Sequence, residues 1–123
     1  MTKPPKGHGY IDEVGDERHF WYIETLWEAA KNLPVKDVKL DDLAWAEDDC
    51  AFLGNPPLWG VLAKECKRAM NVDLSYPIIL NVNGDVMDGM HRIIKTFVAG
   101  NTTIQAVQFE QTPKPDRVKP LTE

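Results

Sequence analysis

The stretch from Asn81 to Gly100 constrains the fold of this chain more than any other. Turn-forming Asn81, Asn83 and Gly84 lead to Asp88-Gly89, after which Ile93, Ile94, Phe97 and Val98 recur at helical spacing until Gly100 stops the run. Such a glycine-hinged turn feeding a helix N-terminus presents unpaired backbone N–H groups and the positive end of the helix dipole, a combination that favours an anion. His91 and Arg92 fall in that first turn. Cationic side chains there oppose the dipole and cost stability unless a negative ligand is shared between them. Each residue also has a plain alternative. Gly89 is either a point of close backbone approach to a ligand or an ordinary turn glycine, Arg92 either a phosphate fork or one half of an ion pair, and His91 either a donor to phosphate or a satisfied structural histidine.

Around this stretch the pattern predicts a mixed α/β chain. Residues 1–15 are rich in Pro and Gly and read as an arm. Asp16 is a plausible N-cap for a helix over 16–33, with Phe20, Ile23, Leu26, Trp27 and Ala30 on or beside one face. Its aromatics, Trp21 and Trp27 above all, form either core or a contact for a second copy or a protein partner. Pro34 ends the helix, residues 35–40 alternate as a half-buried strand, and residues 45–57 form a loop carrying Glu47, Asp48 and Asp49. A helix over 58–71 should follow, with an apolar stripe of Leu58, Val61, Leu62, Cys66 and Met70. Strands are expected over 76–82, joined through a type I′ turn at Asn83-Gly84 to 85–88, and over 102–109; residues 111–123 read as a solvated tail. The expected architecture is a small mixed sheet of about four strands flanked by about three helices, within one domain over 16–110.

Composition excludes several classes. With 19 acidic residues against 14 basic ones the net charge is −5, which argues against DNA binding through counterion release; Lys64, Lys67 and Arg68 on one helix face and Lys114, Arg117 and Lys119 in the tail are local basic groups that read first as a solvated face and a flexible tail. No apolar run suits a membrane span or a signal peptide, so the expectation is a cytoplasmic chain. Cys50 and Cys66 lack metal-ligand spacing and read as a buried and a half-buried thiol.

The string Asp88-Gly89-Met90-His91-Arg92, with the Pro77-Ile78-Ile79-Leu80 strand before it and a helix, Gly100 and the Thr102-Thr103-Ile104 strand after it, resembles the ParB/sulfiredoxin superfamily over roughly residues 38–109. The resemblance implies that Gly89, Met90, His91 and Arg92 hold the phosphates of a nucleotide. The nearest motif variant is the Asp-Gly-His-His-Arg of the free-serine kinase branch, which implies ATP or ADP as cofactor, with Mg²⁺ alongside, and phosphoryl transfer to a small hydroxyl compound. Asp88 is then a candidate base or metal contact, although physics alone prefers an N-cap aspartate holding the turn. An acid of the 47–49 cluster, Glu47 or Asp48, is the second catalytic candidate; a surface acidic run is its alternative. Met90 departs from the Gly-Cys-His-Arg of sulfiredoxins, and a thioether cannot supply their thiolate. The partition proteins' Gly-Glu-Arg-Arg turn and following helix-turn-helix are also absent. The competing expectations are a non-catalytic, nucleotide-responsive adaptor and, last, a nuclease.

Overall fold

The computed structural model describes residues 9–47, 50 and 53–122. Among the described residues, seven strands and three α-helices follow one another as β1 (Gly9–Val14), β2 (Glu17–Tyr22), α1 (Ile23–Ala30), β3 (Lys36–Lys39), α2 (Trp59–Asn71), β4 (Ile78–Leu80), β5 (Val86–Asp88), α3 (Met90–Val98), β6 (Thr103–Gln108) and β7 (Arg117–Pro120), with a 3₁₀ turn at Leu40–Asp42 after β3. The strands form one sheet ordered β1-β2-β7 and another ordered β3-β6-β4-β5, so the mixed α/β expectation holds, with a second sheet that was not expected. No described helix is long and apolar enough to cross a membrane. Two compact units divide the chain.

The first unit comprises Met1–Pro34, Ile79–Asp88 and Val107–Glu123. Here the expected helix over 16–33 is corrected: its first third is strand, and only Ile23–Ala30 is helical. Val14 pairs with Glu17 across the two-residue loop Gly15-Asp16, with Gly15 at φ 60°, so Asp16 turns a hairpin instead of capping a helix. Aromatic residues, which pack well on a pleated surface, then fill β2. Trp21 is buried at 1% exposure, stacks obliquely on Tyr10 with ring centroids 5.7 Å apart, and donates its indole N–H to the Pro113 carbonyl at 2.9 Å. The residues read as an arm and a tail contain the outer strands of this sheet, β1 and β7. The partner surface expected on a Trp21/Trp27 helix is likewise corrected, because Trp21 lies on β2 and Trp27 is only 9% exposed.

Ile23, Leu26, Trp27 and Ala30 form the buried face of α1, as their spacing predicts. Tyr22 at its N-cap offers no side-chain bond; Asp116 takes that place, accepting the Tyr22 N–H at 2.8 Å and the Thr25 hydroxyl at 2.9 Å. Hairpin β4–β5 turns through Val82-Asn83-Gly84, with Gly84 N–H bonded to the Asn81 carbonyl and only Gly84 at positive φ. The expected type I′ turn is therefore replaced by a three-residue loop ending in a left-handed glycine. Buried Asn81 anchors it, its Oδ1 accepting from Val82 N–H and the Thr112 hydroxyl.

The second unit comprises Val35–Ile78 and Gly89–Ala106. Strand β3 pairs antiparallel with β6 from Lys36↔Ala106 to Lys39↔Thr103. Leu40, Leu43, Ala69, Ile78, Ile93, Ile104 and Ala106 are its buried apolar residues. The stripe expected on α2 is corrected: Leu58, Leu62, Cys66 and Met70 are exposed, and the inward row is half-buried Val61, half-buried Glu65 and buried Ala69, four residues apart. Cys50 and Cys66 are both exposed free thiols, which corrects the expected burial. At the end of α3, Gly100 at φ 83° bonds the Phe97 carbonyl and Asn101 bonds that of Thr96, the paired closure of a Schellman stop.

Candidate functional site

Within the second unit, Gly89 opens α3 at φ 118° and ψ 19°, a conformation that favours glycine. A Cβ placed on it would lie 2.8 Å from the Ile78 Cβ and 3.1 Å from the Arg92 Nη2, so glycine is required here by backbone shape and by space together. The first helical bond runs from Ile93 N–H to the Gly89 carbonyl, which puts the N–H groups of Met90, His91 and Arg92 ahead of the intrahelical ladder. No side chain caps this end, and the first turn contains no acid to offset the dipole.

The side chains of Arg92 and His91 leave this turn in different ways. Arg92 is buried, 8% exposed, and its Nη1 donates to the Pro77 carbonyl at 2.9 Å. Its guanidinium thus ties α3 to the residue preceding β4, and its charge lies beneath the turn. His91 meets a residue that the sequence analysis did not single out: its Nε2 lies 2.6 Å from the Glu65 Oε2, with the two side chains only 13% and 19% exposed. The hydrogen bond from His91 holds the Glu65 carboxyl below its ordinary value, against the burial that would raise it, and Arg68 adds to the effect from one turn on, 3.4 Å away. The sequence contained one indirect signal of the pair, the position of Glu65 midway between Val61 and Ala69 on the inward row of α2. On an otherwise apolar row, an acid needs a partner. A further tie between the same helices is the Lys95 Nζ donating to the Val72 carbonyl at 2.8 Å.

Asp88, Met90 and the acids of the 47–49 cluster are the remaining candidates. The chain passes from the first unit to the second between Asp88 and Gly89. In the first unit, Asp88 Oδ2 accepts the Trp27 indole N–H at 3.0 Å, which fixes that carboxylate against α1. Met90 is half-buried at the first helical position. Glu47 is exposed in the turn after the 3₁₀ segment, while Asp48 and Asp49 lie outside the described residues. Among the described residues, no group of three or more His, Cys, Asp or Glu side chains is gathered for a metal ion. What the geometry brings together is therefore Gly89, His91, Arg92 and Glu65: an uncapped helix start, a cation beneath it, and a histidine held by a carboxylate. No family model, curated protein or solved structure matches the chain.

Proposed function

We propose that the chain binds a small phosphate-bearing ligand, a nucleotide such as ADP or ATP, at the first turn of α3. The carrying observation is that this helix starts on a left-handed glycine with neither a side-chain cap nor a first-turn acid. An anion at that point completes the N–H groups and meets the dipole, with Arg92 adding charge from below and the His91 ring in the same turn. Glu65 is a positioning residue that orients the His91 ring. This role agrees with the resemblance to the ParB/sulfiredoxin turn while moving Arg92 from the surface to a supporting place. In this reading the chain is cytoplasmic, Mg²⁺ accompanies the nucleotide, and phosphoryl transfer to a small hydroxyl compound is the reaction to screen for once binding is established.

The test combines melting with amide chemical shifts. ADP, ATP, CTP and inorganic phosphate, each with and without Mg²⁺, are added to wild type and His91→Gln. A ligand at about 100 times its Kd adds about 2.7 kcal/mol, a rise of several degrees for a chain of this size. The expected result is a rise in wild type that His91→Gln at least halves, with the Met90, His91 and Arg92 amides moving most. Unmoved amides at that turn with millimolar nucleotide would overturn the proposal.

A further inference from the structure

A different surface, in the first unit, is polarised along its strands. The register of β1, β2 and β7 sets three rows on one face of this sheet: Gly9 beside Tyr22, then Ile11, Phe20 and Arg117, then Glu13, Arg18 and Lys119. The other face carries Trp21 into the core. The first face is concave, holding about 290 Å³ lined by Ile11, Arg18, Phe20, Tyr22, Arg117 and Lys119. That volume stands at the small end of ligand pockets, about 300–1,000 Å³, and suits a small molecule.

One end of the concavity is apolar. The Phe20 ring leans out of its own row across Gly9, where a Cβ would come 2.5 Å from the ring's Cζ and 2.6 Å from the Trp21 carbonyl oxygen, so glycine is needed there. The lean takes the ring away from Arg18 and toward Tyr22, which it meets edge to face with centroids 4.9 Å apart and planes at 86°. Ile11 and Tyr22 remain 57% and 41% exposed. The other end is short of acids. Arg18 faces Glu13 at 3.7 Å, whereas among the described residues Arg117 and Lys119 form no ion pair. Asp116, next to Arg117 in sequence, accepts the Tyr22 N–H and the Thr25 hydroxyl instead. On a chain of net charge −5, two unpaired cations beside uncovered apolar side chains call for an anion that has an apolar body.

We infer that this concavity binds a small amphipathic carboxylate, a medium-chain alkyl or aryl acid, with its apolar body over Ile11, Phe20 and Tyr22 and its carboxylate between Arg117 and Lys119. The planar guanidinium of Arg117 matches the two oxygens of a carboxylate, and Lys119 adds a compact charge from two residues on, about 7 Å along the strand. Both halves of the ligand are needed. An inorganic anion leaves Ile11 and Tyr22 uncovered, and an uncharged hydrocarbon lays apolar surface against two cations that have no partner.

The test is an NMR titration with octanoate as the probe and octanol, acetate and ADP as its controls. Octanoate is expected to saturate at millimolar concentration and to move the Phe20, Tyr22 and Arg117 amides and the Ile11 methyl groups most, while octanol and acetate bind about tenfold more weakly or not at all. Arg117→Gln/Lys119→Gln, on an exposed strand, should weaken octanoate about tenfold and leave octanol unchanged. Ile11→Ser should weaken octanoate and leave acetate unchanged, each variant being checked for native melting. Any of four results would overturn the inference: no shift with millimolar octanoate, equal affinity for octanol or for acetate, octanoate binding that the Arg117→Gln/Lys119→Gln variant leaves intact, or equal displacement of octanoate by ADP. Self-association through this face, seen in sedimentation and insensitive to octanoate, would also overturn it, in favour of a second copy as the occupant. Because His91→Gln leaves this face untouched, failure here is separable from failure at α3.

Discussion

Gly89 is under two separate demands, one of backbone shape and one of space, and the glycine substitutions of this chain can tell them apart. Gly84 has a comparable φ of 91°, yet a Cβ there would meet nothing within 4 Å. Gly84→Ala should therefore cost only the left-handed strain, about 1–2 kcal/mol. Gly89→Ala adds an intrusion on Ile78 and should cost about 2–4 kcal/mol in chemical denaturation, strain and overpacking combined. A second prediction rests on Glu65. Its carboxyl is held below its ordinary 4.5 in the folded chain by His91, so the stability it contributes is present above that pH and is lost as pH falls through the lowered value. Wild type should then lose stability more steeply than Glu65→Gln below about pH 4.5, by no more than about 1 kcal/mol for a partly exposed pair. Equal slopes in acid titrations of melting temperature would remove the pair from the stability account. Gly89 and His91 could be singled out in the sequence because turn and helix chemistry is local; Glu65 could not, because 26 residues separate it from His91 and only the packing of α2 on α3 joins them.

Among the elements, the helix with the clearest punctuation was the most legible. Gly89 before it and Gly100 after it bound α3 at almost its true length, and β3, β4 and β6 fall within their expected spans. The hairpin of β1 and β2 was missed for a physical reason. A run such as Phe20-Trp21-Tyr22-Ile23 satisfies helical and extended periodicity alike over short windows, and Asp16 is both a good cap and a good turn residue. The better signal was Gly15-Asp16 itself, a two-residue glycine turn between aromatic and β-branched runs. Helix α1 also shows a cap supplied from far away in the chain. Asp116→Ala should cost about 1 kcal/mol, the usual value of an N-cap, even though the residue lies on no helix. Thermal melts of the two proteins check this, and Asp116→Asn, which keeps an acceptor, should recover part of the loss. Of α2's residues only Ala69 is buried, so its exposed amides, unlike those of β4 with Ile78, Ile79 and Leu80 all buried, should exchange with solvent early.

For the whole molecule, the two units differ in how the chain supplies them. The second is drawn from the middle of the sequence, whereas the first takes an early segment, a short central one and the last residues. Removing residues 112–122 would delete β7, the Pro113 carbonyl that receives the Trp21 indole, the Thr112 partner of Asn81 and the Asp116 cap. We expect that deletion to cost about 3 kcal/mol or more, from two or three hydrogen bonds at about 1 kcal/mol each plus the cap. Denaturant titration of the shortened chain checks this, and an unchanged midpoint would contradict the role assigned to β7. Asp116 also sets an order of events during synthesis. Helix α1 is synthesised well before the carboxylate that closes its leading end, which follows some ninety residues later. Until that residue has been made, β2 lacks its β7 neighbour and the leading end of α1 lacks its carboxylate.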